Sequence, residues 1–316
     1  MSSITETVLF VFGLVAAGYV SGLTGYLKVE VGDAIAEFAV SIALPLLLFR
    51  TMIGADFQGA APWAFWGTYF AAVIVTWAVG QVATVKVFGR DGRTGVVGGV
   101  TAAFSNIVLL GIPFTQGVYG REGFEILSLL VAVHLPIMIA ASIVLFELFG
   151  RAPGEKFHIL KLLKAFARRM ATNPLVIAIL GGLVCRATGL PLPRLATGLI
   201  DALANVAGPV ALFALGLNLR KYGIARNMVA GVSLASIKLV LMPAVALAVA
   251  WMVDLPPMTA KVAVAAASLP AGVNSYLIAT QFGTGQALAS NAMTVGTAMA
   301  VLTTAFWLTM AQMVFG

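Results

Sequence analysis

Apolar runs of about twenty residues follow one another along almost all of this 316-residue chain, and that repetition decides what it can fold into. A run of about 20 apolar residues, rising about 1.5 Å each as a helix, spans the roughly 30 Å hydrocarbon core of a bilayer. Inside lipid every backbone N–H and C=O must find a partner within the protein, so only helices and closed barrels cross. A barrel would show roughly ten-residue segments of alternating polarity, whereas the runs here are continuous. With 60% hydrophobic and 10% charged residues, the chain is an integral membrane protein of the all-α class. Glu6 is the sole charge before Lys28. The first run therefore lacks the basic leader of a cleaved signal peptide and is read as a mature helix.

Ten spans are expected, near 4–22, 32–52, 63–87, 94–119, 123–149, 172–190, 196–218, 227–253, 258–282 and 286–315. The 19 Lys and Arg residues divide unevenly between them. Odd-numbered connections hold 13: Lys28; Lys86, Arg90 and Arg93; six from Arg151 to Arg169; and Arg220, Lys221 and Arg226. Even-numbered connections hold 5, namely Arg50, Arg121, Arg186, Arg194 and Lys261, and Lys238 lies within a span. Positive charge stays in the cytoplasm, so the odd connections are expected there and both termini outside. The net charge of +7 is thus loop charge facing an anionic membrane surface, with no nucleic-acid partner implied.

The longest connection halves the chain into residues 1–150 (spans 1–5), a linker at 151–170 and residues 171–316 (spans 6–10). An odd number of spans in the first half makes the second half enter with inverted orientation. Ala43–Phe49 (ALPLLLF) in span 2 is echoed by Ala207–Gly216 (AGPVALFALG) in span 7. In the linker Ile159, Leu162, Leu163, Phe166 and Met170 are interspersed at helical spacing with Lys156, Lys161, Lys164, Arg168 and Arg169, the pattern of an amphipathic interfacial segment.

Two spans are interrupted. Thr101–Gly120 carries Asn106, Gly111 and Pro113 amid apolar residues, and Ala263–Gly283 carries Pro270, Gly272 and Asn274. Proline removes a donor and clashes with the preceding turn, so each span is expected to break around its proline. Broken backbone at membrane depth survives only inside protein or beside a watery cavity, and two broken helices at corresponding positions point to a transporter's substrate site. Asn106 and Asn274 offer amide donors to a carboxylate, beside N–H groups freed at the breaks. The alternative role for each Asn is to satisfy the opened backbone. Ser105, Ser275 and Tyr276 are candidate supporting groups; Gly111, Pro113, Pro270 and Gly272 are architectural.

Ionisable side chains within spans are functional candidates by default. His134 is placed to carry or gate a proton, or to be a packed neutral imidazole. Lys238 is a buried countercharge or a snorkelling residue. Arg50 attracts anions or snorkels to the interface. Glu37 and Asp201 are read as carboxylates near helix starts. No Walker loop or HExxH motif is present, and two His with one Cys, Cys185, supply neither a disulfide nor a repeated metal site. No enzyme activity and no cofactor are expected.

Four motifs, Leu44–Arg50 (LPLLLFR), Ser105–Pro113 (SNIVLLGIP), Gly208–Gly216 (GPVALFALG) and Leu269–Ala279 (LPAGVNSYLIA), resemble the auxin efflux carrier family in order and over all ten spans. Its bacterial members carry small carboxylates such as malonate or malate, and its plant members are PIN-formed auxin exporters. The resemblance implies two inverted five-helix repeats with crossed broken helices 4 and 9, an architecture shared with sodium-proton antiporters and bile-acid symporters. It also implies a scaffold of spans 1, 2, 6 and 7, a mobile transport domain of spans 3–5 and 8–10, and a homodimer through the scaffold. His134 falls where plant carriers support the site with a polar residue, while their acidic partner on span 3 is missing from Tyr69–Val85. The expected function is secondary transport of a small organic anion by an elevator-type mechanism in a bacterial inner membrane. The alternatives are a cation-coupled antiporter or symporter, disfavoured because spans 4 and 9 lack Asp and Glu, and a non-cycling receptor or channel.

Overall fold

The computed structural model describes residues 3–57, 59–150, 164, 167–168, 170–189, 191–222 and 228–316. It is helical, and helices run through each of the ten apolar stretches. In chain order they are α1 (Ser3–Leu23), α2 (Val29–Phe38), α3 (Leu44–Ile53), α4 (Pro62–Val82), α5 (Gly92–Ala103), α6 (Ile112–Gly150), α7 (Pro174–Thr188), α8 (Arg194–Asn205), α9 (Ala207–Tyr222), α10 (Met228–Ser236), α11 (Met242–Met252), α12 (Pro257–Ser268), α13 (Val273–Gln281) and α14 (Gln286–Phe315). Seven helical segments among the described residues are long and apolar enough to cross a membrane, and α7 is a shorter apolar helix. Singly, α5, α12 and α13 are too short to span. The linker residues with the expected amphipathic pattern lie largely outside the described residues.

Local chemistry sets the joints. Gly120 has φ 63° and ψ −151°, a conformation open to glycine, so α6 is two helices meeting at a turn where spans 4 and 5 part. π-helical turns interrupt four spans, at Ala39–Ala43, Ala83–Val87, Ile107–Gly111 and Ile237–Leu241. Such wide turns often mark functional positions. Glu37 is the penultimate residue of α2, and Asp201 lies past the middle of α8. Neither carboxylate therefore sits at a helix N-terminus: each helix begins upstream of its apolar core, at Val29 and Arg194.

The chain forms two compact units. The first comprises Met1–Ala60, Ile107–Val133 and Arg169–Lys221. There α3 packs on α7 and α8, and a Cβ on Gly216 of α9 would overlap the Val15 carbonyl of α1, so these helices touch backbone to backbone. Glu125, buried, accepts from the Asp56 N–H at 3.0 Å and pairs with Arg121 at 2.6 Å. Arg121 also donates to the Gly54 carbonyl, which ties the α3–α4 connection to α6.

The second unit comprises Ala61–Asn106, His134–Arg168 and Tyr222–Gly316. Its α5 lies against α4, α11 against α4 and α12, and α14 against α10 and α12. A Cβ on Gly98 of α5 would collide with the Thr84 hydroxyl, which explains why small residues fill that face. Spans 4 and 5 are divided between the units, at Asn106/Ile107 and Val133/His134.

Candidate functional site

The second unit contains both helix breaks. Helix α5 stops at Ala103, and Phe104 turns to extended backbone at φ −85°, ψ 101°. Helix α12 stops at Ser268, where Leu269 is extended at φ −65°, ψ 147°, as a residue preceding proline prefers. The two extended pieces pair antiparallel through Ser105 and Ala271. The Asn106 N–H donates to the Pro270 carbonyl at 2.9 Å and the Gly272 N–H to the Phe104 carbonyl at 3.0 Å. Each break thus satisfies backbone groups opened by the other, which is what buried irregular backbone requires. Gly272 makes the approach possible, since a Cβ there would stand 3.2 Å from the Asn106 Cα.

Remaining carbonyls at the end of α12 accept hydrogen bonds from side chains. Lys238, fully buried on the π turn Ile237–Leu241, donates its Nζ proton to the Ala267 carbonyl at 2.6 Å. Thr304 of α14 donates to the Ser268 carbonyl at 3.1 Å. Trp307 donates to the Leu239 carbonyl at 2.8 Å, serving the π turn that presents Lys238. A donor side chain at a helix C-terminus satisfies carbonyls left open there. Lys238 therefore does not snorkel: it caps a half-helix. Thr304 and Trp307 were invisible in sequence, because one hydroxyl and one indole on an apolar helix carry no motif.

Helix α13 starts at Gly272 with no side-chain cap. The Ser275 N–H and hydroxyl both return to the Gly272 carbonyl, at 3.0 and 2.7 Å. Asn274 is half-buried in the first turn, and Tyr276 is half-buried beyond it. Across the pairing, Asn106 is 5% exposed and its Nδ2 has no hydrogen-bond partner. Ser105 is fully buried, its hydroxyl 3.9 Å from the Met242 sulfur. A carboxylate-sized acceptor is what a buried free amide and an uncapped helix start have in common.

His134 is wedged edge-on between the rings of Phe104 and Tyr69, at centroid distances of 4.8 and 5.5 Å. Neither ring nitrogen reaches a hydrogen-bond partner, and its polar neighbours are the Ser105 backbone and Lys238.

The remaining candidates belong to the first unit. Gly111 ends the π turn Ile107–Gly111, and Pro113 follows as the second residue of α6, directly after that wide turn and without a break in the helix. The interruption of span 4 consequently lies at Phe104–Asn106, ahead of the expected position at Pro113, because strand-like pairing with the second break replaces the helix there. Arg50, in the last turn of α3, donates through Nη1 to Asp201 at 3.2 Å and to Asn205 at 2.8 Å.

A family model described as "Membrane transport protein" matches residues 3–308. A Rhizobium meliloti protein named "Putative malonate transporter" is 29% identical over 320 residues, covering 96% of this chain and 94% of its own. An "Uncharacterized transporter" of Methanothermobacter thermautotrophicus is 26% identical, covering 96% and 97%. "Auxin efflux carrier component 8" of Arabidopsis thaliana is 25% identical, covering 90% and 93%. Matched almost from end to end, the chain belongs to the membrane transport protein family, that of the auxin efflux carriers.

Proposed function

We propose that this chain is a secondary carrier of a small organic anion, with the carboxylate held where the two interrupted helices pair. The observation that carries the reading is the buried, partnerless Nδ2 of Asn106 beside the uncapped start of α13. A buried donor without a partner costs about 1–3 kcal/mol, so its retention is explained by a ligand that accepts from it. Asn274, in the first turn of α13, supplies the second amide. Gly272 and Pro270 set the backbone separation, while Ser105, Ser275 and Tyr276 line the breaks. Lys238 donates to the carbonyl end of α12, and an antiporter's carboxylates are lacking in spans 4 and 9.

The ten spans form two inverted five-helix repeats with spans 4 and 9 crossing. Odd connections face the cytoplasm of a bacterial inner membrane, and both termini face outside. Transport is elevator-like: the body bearing both breaks moves against a scaffold of spans 1, 2, 6 and 7, which also forms a homodimer. In support, spans 1, 2, 6 and 7 fall in one compact unit and both breaks in the other.

Counterflow tests the function. Proteoliposomes preloaded with unlabelled malonate should transiently accumulate external labelled malonate, malate or an auxin-like acid above equilibrium. Absence of exchange across a panel of mono- and dicarboxylates contradicts the reading.

A further inference from the structure

The first unit holds a cavity of about 220 Å³ that the carrier reading does not use. Its walls come from α1 (Thr7, Val11), α6 (Pro113, Gln116) and the α8–α9 junction, where Asn205 and Pro209 face it with Arg50 of α3. The volume lies below the roughly 300–1,000 Å³ of sites for drug-sized ligands, so it suits an anion of a few heavy atoms. Arginine's guanidinium carries five donors in a fork matched to a carboxylate. Both hydrogen bonds that Arg50 makes here run through Nη1, to Asp201 and Asn205. Nε and Nη2 are not engaged in them. Asp201 does not line the cavity, and the pair lies at the protein surface, with side-chain exposures of 31% and 54%. Exposed pairs of this kind contribute little and exchange partners readily. Gln116 and Asn205 add amide groups to the same wall.

We infer that this cavity is a second carboxylate site, separate in sequence and in unit from the helix breaks, in which a small carboxylate replaces Asp201 on the Arg50 guanidinium. Asp201 is then an internal competitor that keeps the arginine oriented when the site is empty.

Equilibrium dialysis of purified full-length protein against labelled malonate tests this. The parent should bind two malonates per chain. Arg50→Gln should lose one of them, weakened about 10- to 150-fold by removal of a charge-assisted contact. Asp201→Asn should bind the same one about two- to five-fold more tightly, because the competitor is gone. Should Arg50→Gln fail to fold, Asp201→Asn decides alone: tighter binding supports the site, and unchanged or weaker binding overturns it. One malonate per parent chain, unaffected by Arg50→Gln, also overturns it. Asn106→Ala separates the two readings, since it should remove the other malonate and leave the Arg50-dependent one. If Asn106→Ala removes none while Arg50→Gln still removes one, the helix-break site fails and this one stands.

Discussion

His134 shows how environment assigns a role that residue type leaves open. An in-span histidine reads equally as a proton carrier or as a packed ring. In the structure it makes two edge-on aromatic contacts, and neither nitrogen has a hydrogen-bond partner. Among the described residues the buried carboxylate is Glu125, which is engaged by the Asp56 N–H and Arg121. We propose that the imidazole packs the turn at Phe104. His134→Gln should lower thermal stability, by about 1–3 kcal/mol for a lost buried aromatic contact, and leave the pH profile of uptake unchanged. A flattened profile at normal expression would return the residue to proton coupling. Lys238 was equally ambiguous in sequence, and its place emerged only with the Ala267 carbonyl in view, because a helix end in another span creates the need for the donor.

At the scale of elements, α5 is the helix that delivers Ser105 and Asn106, and its start is defined by Asp91. That carboxylate accepts the Thr94 N–H at 2.7 Å. The Thr94 contacts, with Arg93 and Arg90 nearby, hold it below the ordinary carboxylate value. A depressed folded-state value means stability fully present above the ordinary value of about 4 and lost as pH falls through the lower one. Asp91→Ala should cost about 0.5–2 kcal/mol at neutral pH, and the difference from the parent should shrink in acid. Thermal unfolding at several pH values measures it; a pH-independent difference would remove the carboxylate from the explanation.

The broken elements were half legible. Pro270 interrupts span 9 where its sequence places it, since proline's missing donor and its effect on Leu269 are local. Span 4 breaks at Phe104–Asn106, because the pairing partner of that stretch lies more than 160 residues away and leaves no local trace. Pro113→Ala should therefore leave malonate affinity within about two-fold, whereas Gly272→Ala, with its Cβ 3.2 Å from the Asn106 Cα, should weaken binding substantially. Parallel titrations that reversed this order would show that the proline, not the strand-like pairing, builds the site.

For the whole molecule, hydropathy and loop charge made the helical membrane class and the helix positions readable, because lipid leaves so few alternatives. Division into compact units was not readable, since contacts between remote helices depend on glycine faces such as Gly216 against Val15. An elevator requires the unit bearing both breaks to move as one body. Thr94 and Thr284 lie within that unit with hydroxyls 2.7 Å apart, and so place two side chains within bridging reach. In a Cys185→Ala background, oxidised Thr94→Cys/Thr284→Cys protein should transport as well as its reduced form. Loss of uptake on oxidation, restored by reductant, would mean that the unit deforms during the cycle.

The central claim is that the paired breaks hold the anion, and the affinity of Asn106 and Asn274 variants tests it most directly. Calorimetric titration of malonate into purified parent, Asn106→Ala, Asn274→Ala and the double variant should show each single change weakening the same binding event about five- to 150-fold, the value of an amide donor to a desolvated carboxylate. Sharing one ligand, the two should combine non-additively while apo stability stays near the parent's. Parent-like affinity in both single variants, across the carboxylates that bind at all, would contradict the account and move the site elsewhere in the protein.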